Sequence, residues 1–305
     1  MTPTTLVRER LSHPGSSEPP GEDLGARARD WSEIQERMLV PLHEAVYDRL
    51  EVGPATRLLG LRCGTGLALL TAASRGAAVT GVDSSPERLA LARERLLAGG
   101  APGTGGPGER GERGEQGDAR IVEGSPAEIL PAASDAAHAA VDAPAYTLVT
   151  VFEPIGCRAG DADGIGELLA SAVPLAGRGA AVVLVGWGPP ERCATSSVLR
   201  VATKLADPLR SARSWRPARR DDLEEVAQRA GLKPDGSGRV ACPFGYADVD
   251  SAVRGLVSTG LFDAAIAATD RKQVDKELVE ALHPYRRGDG TVWMGNVFRY
   301  VIARV

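Results

Sequence analysis

Residues Arg57 to Ser85, RLLGLRCGTGLALLTAASRGAAVTGVDSS, constrain the fold of this chain more than any other stretch. An apolar run at 58–61 leads into Cys63-Gly64-Thr65-Gly66, a helical pattern follows, and a second apolar run at 79–82 ends on Asp83. Glycine enters left-handed backbone without a Cβ clash, so such a turn lets the main chain approach a ligand closely. The next helix presents its free N–H groups at the same place. Asp83 stands seventeen residues after Gly66, near the distance at which a Rossmann-like unit places a carboxylate on a ribose. The stretch points to a ligand that carries a nucleoside.

The 305 residues are enough for one large α/β domain with additions or two modest ones. A formal charge of −4 argues against a general nucleic-acid or anionic-membrane binder, because those present basic faces. The expected partner is a small molecule. Four cysteines (Cys63, Cys157, Cys193, Cys242) form no CxxC pair and there are four histidines, so neither a metal site nor a disulfide framework is expected. No leader pattern and no membrane-length apolar run is read, and the expected location is cytoplasmic.

Residues 1–25 are rich in Pro, Gly, Ser and Glu and read as a mobile tail, with one domain over 26–305. From Trp31, apolar residues at helical spacing predict two short helices, the second with Pro41 in its first turn. Their shared face would either cover the glycine turn through Trp31 or pack as ordinary core. Ser84-Ser85-Pro86-Glu87 reads as a helix start running to about Leu97. Nine of the twenty residues at 99–118 are glycine, some at every third position, which reads as a flexible surface loop. Ala119–Val122, Tyr146–Phe152 and Ala180–Trp187 read as strands, with a helix at Gly164–Val173. Residues 189–285 read as mainly helical lid elements with a short strand at Arg239-Val240-Ala241, and Val292–Val305 as a closing strand. Alternating strands and helices predict a Rossmann-like, doubly wound, mostly parallel sheet with its ligand at the strand C-termini.

From Trp31 to Val305 the chain resembles the class I S-adenosylmethionine-dependent methyltransferases, in particular their bacterial small-molecule branch. LLGLRCGTG (58–66) looks like the glycine-rich first motif, and TGVDSSPERLALARERL like the second strand and its helix. TLVTVF, AGRG (176–179), VGWGPPE and DGTVWMGNVFRYVIA follow in the family's order. The resemblance implies S-adenosylmethionine as cofactor, with Gly64 and Gly66 making room for its methionine part and Asp83 on the ribose hydroxyls; Cys63 and Arg62 are candidate cofactor residues beside them, Arg62 either filling the methionine site, attracting an anion or pointing out to solvent. The resemblance also places Ser125 near the adenine; Ser84 is a further candidate cofactor residue, and Phe152, at a strand end, would stack on the adenine, line the acceptor cavity or pack as core. Four positions depart from the family's pattern. Gly60 and Ser125 stand where an acid is usual, Arg62 where glycine is usual, and Thr147 where Asp is usual.

Two readings are therefore open. One is methyl transfer to a small-molecule acceptor. The other is a methyltransferase-like binding or regulatory protein, with a protein partner, that has lost the cofactor. On the acceptor side, Glu153, His283 and Tyr285 are candidate bases, and Phe152 and Trp187 are aromatics at strand ends.

Overall fold

The computed structural model describes residues 23–99, 119–129, 145–156, 162–206 and 221–305. The chain before Asp23, most of the glycine-rich stretch and Cys157 lie outside these residues.

Helix α1 (Leu24–Asp30) begins inside the last residues assigned to the tail, because Asp23 caps it by accepting from the amide of Ala26 at 2.9 Å. The path then tightens and loosens through a π turn (Trp31–Gln35) and a 3₁₀ turn (Glu36–Leu39) before α2 (Val40–Arg49). Two regular helices were expected there. The insertion of a π turn instead swings Trp31 and Glu36 onto a common side, and such turns recur at functional sites.

A strand, helix and strand follow as β1 (Arg57–Leu61), α3 (Leu67–Ala73) and β2 (Ala78–Asp83), then α4 (Pro86–Gly99) and β3 (Ala119–Glu123). Next come β4 (Tyr146–Ile155), α5 (Asp163–Ala172), β5 (Ala176–Trp187), α6 (Thr195–Ala206), α7 (Asp222–Arg229) and β6 (Lys233–Ala241). The chain ends with β7 (Phe244–Tyr246), α8 (Val249–Ser258), α9 (Asp263–Ala268), α10 (Arg271–Leu282), β8 (Val292–Met294) and β9 (Val297–Arg304). The seven-stranded sheet has the order β3-β2-β1-β4-β5-β9-β6. The first five of these are parallel, and β9 runs antiparallel to both β5 and β6.

This is the expected doubly wound, mostly parallel sheet. Along β1 and β4 consecutive residues face opposite sides, so Leu58 and Leu148 join one buried cluster while Leu59 and Val149 join the other. The 189–285 segment is mainly helical as expected, and the short strand expected at 239–241 is the end of a longer one. This is β6, an edge strand whose Pro234 and glycines suit an edge better than a centre. The closing strand is split at Gly295-Asn296, and β8 pairs with β7 in a separate ribbon. No helix among the described residues is long and apolar enough to cross a membrane.

Candidate functional site

After β1 the chain turns through Arg62 (φ 49°), Gly64 (φ 58°) and Gly66 (φ 78°) into α3. Gly66 is required by packing as well as by φ, since a Cβ there would lie 3.0 Å from that of Ala92 on α4. The Asp83 carboxylate, buried at the end of β2, accepts from the amides of Gly64 at 2.8 Å and Ser85 at 3.0 Å. It thus braces the turn. A carboxylate offers about four acceptor positions, so two remain for hydroxyl donors.

The N-terminal segment 31–39 lies across this turn as a cap. A Cβ on Gly64 would come within 3.2 Å of both Trp31 Nε1 and Glu36 Oε1, so only glycine permits the approach. Buried Glu36 accepts from the hydroxyl of Thr65, from Arg95 Nη1 at 2.6 Å and from the amide of Leu67 at 3.4 Å. Arg95 also donates to Thr65 O at 2.8 Å and Ser32 Oγ at 2.6 Å, which ties cap, turn and α4 together. Arg88 lies over the Trp31 ring at 4.8 Å. From behind, Tyr246 donates to Gln35 Oε1 at 2.9 Å.

Beneath the cap is a chamber of about 50 Å³ over the C-terminal ends of β1 and β4, with Gly60, Leu61 and Gly64 at its floor and Leu39, Leu69 and Phe152 in its walls. Small-molecule sites are usually several hundred Å³. Among the described residues, two buried side-chain polar atoms lack a hydrogen-bond partner, Trp31 Nε1 and His43 Nδ1, and both residues line this chamber. His43 packs edge-on against Phe152 at 4.5 Å, and burial lowers its pKa to about 3, so its ring is neutral. Burial, with the nearby charges of Asp83 and Glu36, pushes the Cys63 thiol far above its ordinary pKa, which keeps it protonated.

The departures of the first motif have a shared geometry. Gly60 and Gly81 sit opposite each other in register, and Leu69 packs down on both; a Cβ on Gly60 would lie 2.8 Å from Leu69 Cδ2. A carboxylate at residue 60 would displace Leu69. Arg62 reaches along the top of the sheet to Glu153, with Nη1 donating to Oε2 at 3.1 Å. Its guanidinium lies over the first turn of α5, where a Cβ on Gly164 would fall 2.7 Å from Nη2.

Arg62, Cys63, Gly64, Phe152 and Glu153 therefore come together around the chamber, with Asp83 and Gly66 bracing its rim. Ser84 belongs instead to a surface groove beside α1, and the Ser125 hydroxyl accepts from the amide of Ala127 at 3.3 Å in a turn outside the chamber. Thr147 sits at the far end of β4, where it accepts from the amide of Arg57 at 3.0 Å. His283 and Tyr285 share a 3₁₀ turn away from the chamber, and Tyr285 hydrogen-bonds to Ser197 at 2.8 Å. Trp187 packs against Phe298 at 4.7 Å as core. The direct cover is 31–39; among the described residues of the expected lid, the end of α8, at Thr259, is the part that reaches the chamber lining. Sequence reasoning missed Glu36 and His43. Their signal was present as polar residues on the stripe that also carries Leu39, Leu42 and Val46.

No protein-family model matches the chain, and no curated protein matches it. Solved structures do. YjhP from Escherichia coli is 18% identical, with 92% of this chain and 99% of that chain covered, at a TM-score of 0.50. A SAM-dependent methyltransferase from Thiobacillus denitrificans, in complex with S-adenosyl-L-homocysteine, is 15% identical over 94% of this chain and 99% of that one, at 0.49. Another from Geobacter sulfurreducens, also with S-adenosyl-L-homocysteine, is 17% identical over 89% and 92%, at 0.45. At 18% identity the likeness to YjhP shows the fold alone.

Proposed function

We propose that this chain, which has the class I S-adenosylmethionine-dependent methyltransferase fold, binds S-adenosylmethionine and directs its methyl group to a small-molecule acceptor. The observation that carries this reading is the position of the chamber. It lies at the C-terminal ends of β1 and β4, where the strand order reverses, which is where open α/β sheets take their ligands.

The residues fit such a cofactor in chemistry once the cap moves. Asp83 keeps acceptor positions for two ribose hydroxyls, the Gly64 backbone is bare enough to be approached, and two buried nitrogens await partners. They do not fit it in volume while Trp31 and Glu36 rest on Gly64. Opening therefore requires the cap to lift from the turn. The cofactor supplies an electrophilic methyl group, so the protein's task is to position an acceptor and exclude water. The apolar walls of Leu39, Leu69 and Phe152 serve exclusion. Neutral His43 offers one nitrogen to a polar group without charging. Glu153 is engaged by Arg62 at 3.1 Å and is placed to hold a cationic group at the chamber.

Calorimetric titration with S-adenosylhomocysteine tests the reading. Binding in the micromolar range, accompanied by a change in tryptophan emission as Trp31 moves, is expected. Absence of heat at millimolar ligand would overturn it and favour the binding or regulatory reading, which Leu69 in the space above Gly60 already supports.

A further inference from the structure

We infer that the Arg62–Glu153 pair is a recognition clamp for an α-amino-acid headgroup, with Arg62 taking the carboxylate and Glu153 the ammonium.

The pair is built at a local cost that its own attraction does not repay. Arg62 holds φ at 49°, in the left-handed region where a residue with a Cβ is disfavoured. The two side chains are about a third and two fifths exposed (32% and 43%), so water screens the ion pair and its net contribution to stability is small. Backbone strain without a structural return is characteristic of binding sites. The setting is also specific: glycine at 164 leaves room for the guanidinium to lie on the first turn of α5. A cation there opposes the helix dipole, and an incoming carboxylate would be welcomed by both the guanidinium and the helix end.

The ligand class follows from charge and shape. A simple anion placed on Arg62 would leave Glu153 to water alone, and a simple cation on Glu153 would do the same to Arg62. Only a group carrying both charges within a few ångströms satisfies both when the 3.1 Å contact opens. The indole N–H of Trp31, a donor without a partner, faces the same chamber and adds a hydrogen bond for the carboxylate. Leu39, Leu69 and Phe152 suit an uncharged side chain beyond the headgroup.

The headgroup has two sources, a free amino acid or the amino-acid part of S-adenosylmethionine, and only the second rests on the function proposed above. Calorimetry on the full chain separates them with S-adenosylhomocysteine, methionine, and methylthioadenosine, which keeps the nucleoside thioether and lacks the amino acid. Arg62→Gly relaxes the backbone, so weaker binding by it is not misfolding; Glu153→Gln keeps shape and removes charge. Each variant is expected to weaken S-adenosylhomocysteine about tenfold or more while changing methylthioadenosine less than about threefold. Methionine bound by the wild type and lost in both variants, with no binding of S-adenosylhomocysteine, would support the clamp and overturn the cofactor. Equal effects on S-adenosylhomocysteine and methylthioadenosine, or none on either, would overturn the clamp and leave the cofactor standing. No binding of any of the three ligands would overturn both.

Discussion

Two places along the C-terminal edge of the same sheet differ in an instructive way. Over β1 and β4 the chamber is about 50 Å³ and is closed by the chain's own cap. Over β5, β9 and β6 there is an open groove of about 800 Å³, lined by Arg192, Ser197, Tyr285 and Asn296 among others. The larger space is the chemically quieter one. Polar groups along it pair with one another: Ser197 with Tyr285 at 2.8 Å, and the amide of Thr195 with Asn296 Oδ1 at 3.1 Å. The smaller space holds the left-handed arginine and both orphaned nitrogens. Empty volume records where elements fail to meet, whereas unsatisfied and strained groups record where something else is meant to bind.

The contrast breaks most severely at Glu36. Glu36→Ala leaves Arg95 beside Thr65 without its carboxylate, and a stability loss of about 3 kcal/mol is expected, measured by urea unfolding, with red-shifted Trp31 emission as the cap loosens. A loss below about 1 kcal/mol would show that the cap is not pinned there.

His43 makes the chamber acid-sensitive. Its folded pKa, about 3, lies below the unfolded value of about 6.5. Between those values the unfolded chain binds the extra proton, so stability falls as pH drops below about 6.5 and the full contribution is present only above it. From pH 7 to pH 5 this one group removes about 2 kcal/mol. His43→Phe is expected to flatten the acid limb by that amount in unfolding curves at the two pH values. An unchanged slope would mean that the ring is not buried neutral.

Arg62→Gly sharpens the same comparison. Releasing the left-handed strain is expected to raise stability by up to about 1 kcal/mol despite the lost ion pair, read as a rise in Tm. Destabilisation would show that the pair matters structurally. In the groove, Tyr285→Phe removes only an exposed hydroxyl contact, and a change within about 0.5 kcal/mol is expected from urea unfolding. A larger loss would mean that the groove is tensioned as the chamber is.

Much of the fold was legible because its signals are local. The runs at 58–61, 79–82 and 146–152 fall within observed strands, and the glycines at 64 and 66 occupy the left-handed positions that a strand-to-helix turn demands. Asp83 was legible for the same reason. Less legible were elements whose identity depends on neighbours. Of Lys233–Ala241 only the end, 239–241, reads as a strand in the sequence; the rest, with Pro and two glycines, lacks strand propensity and is extended because β9 offers it an edge. Glu36 and His43 looked like breaks in an apolar stripe, and only their facing surroundings make them site residues.

The Arg57–Ser85 stretch by itself determined the strand, turn, helix, strand and acid, since φ preference and hydrophobic period act within a few residues of chain. Tertiary structure decided the rest. It placed β9 between β5 and β6, laid 31–39 over Gly64, and brought Arg62 to Glu153 across ninety-one residues of sequence. Such long-range pairings are set by which surfaces remain to be buried after the local elements form, and no local pattern encodes them. The glycine turn was therefore readable as a ligand site from sequence, while its closed state and its charged clamp were not.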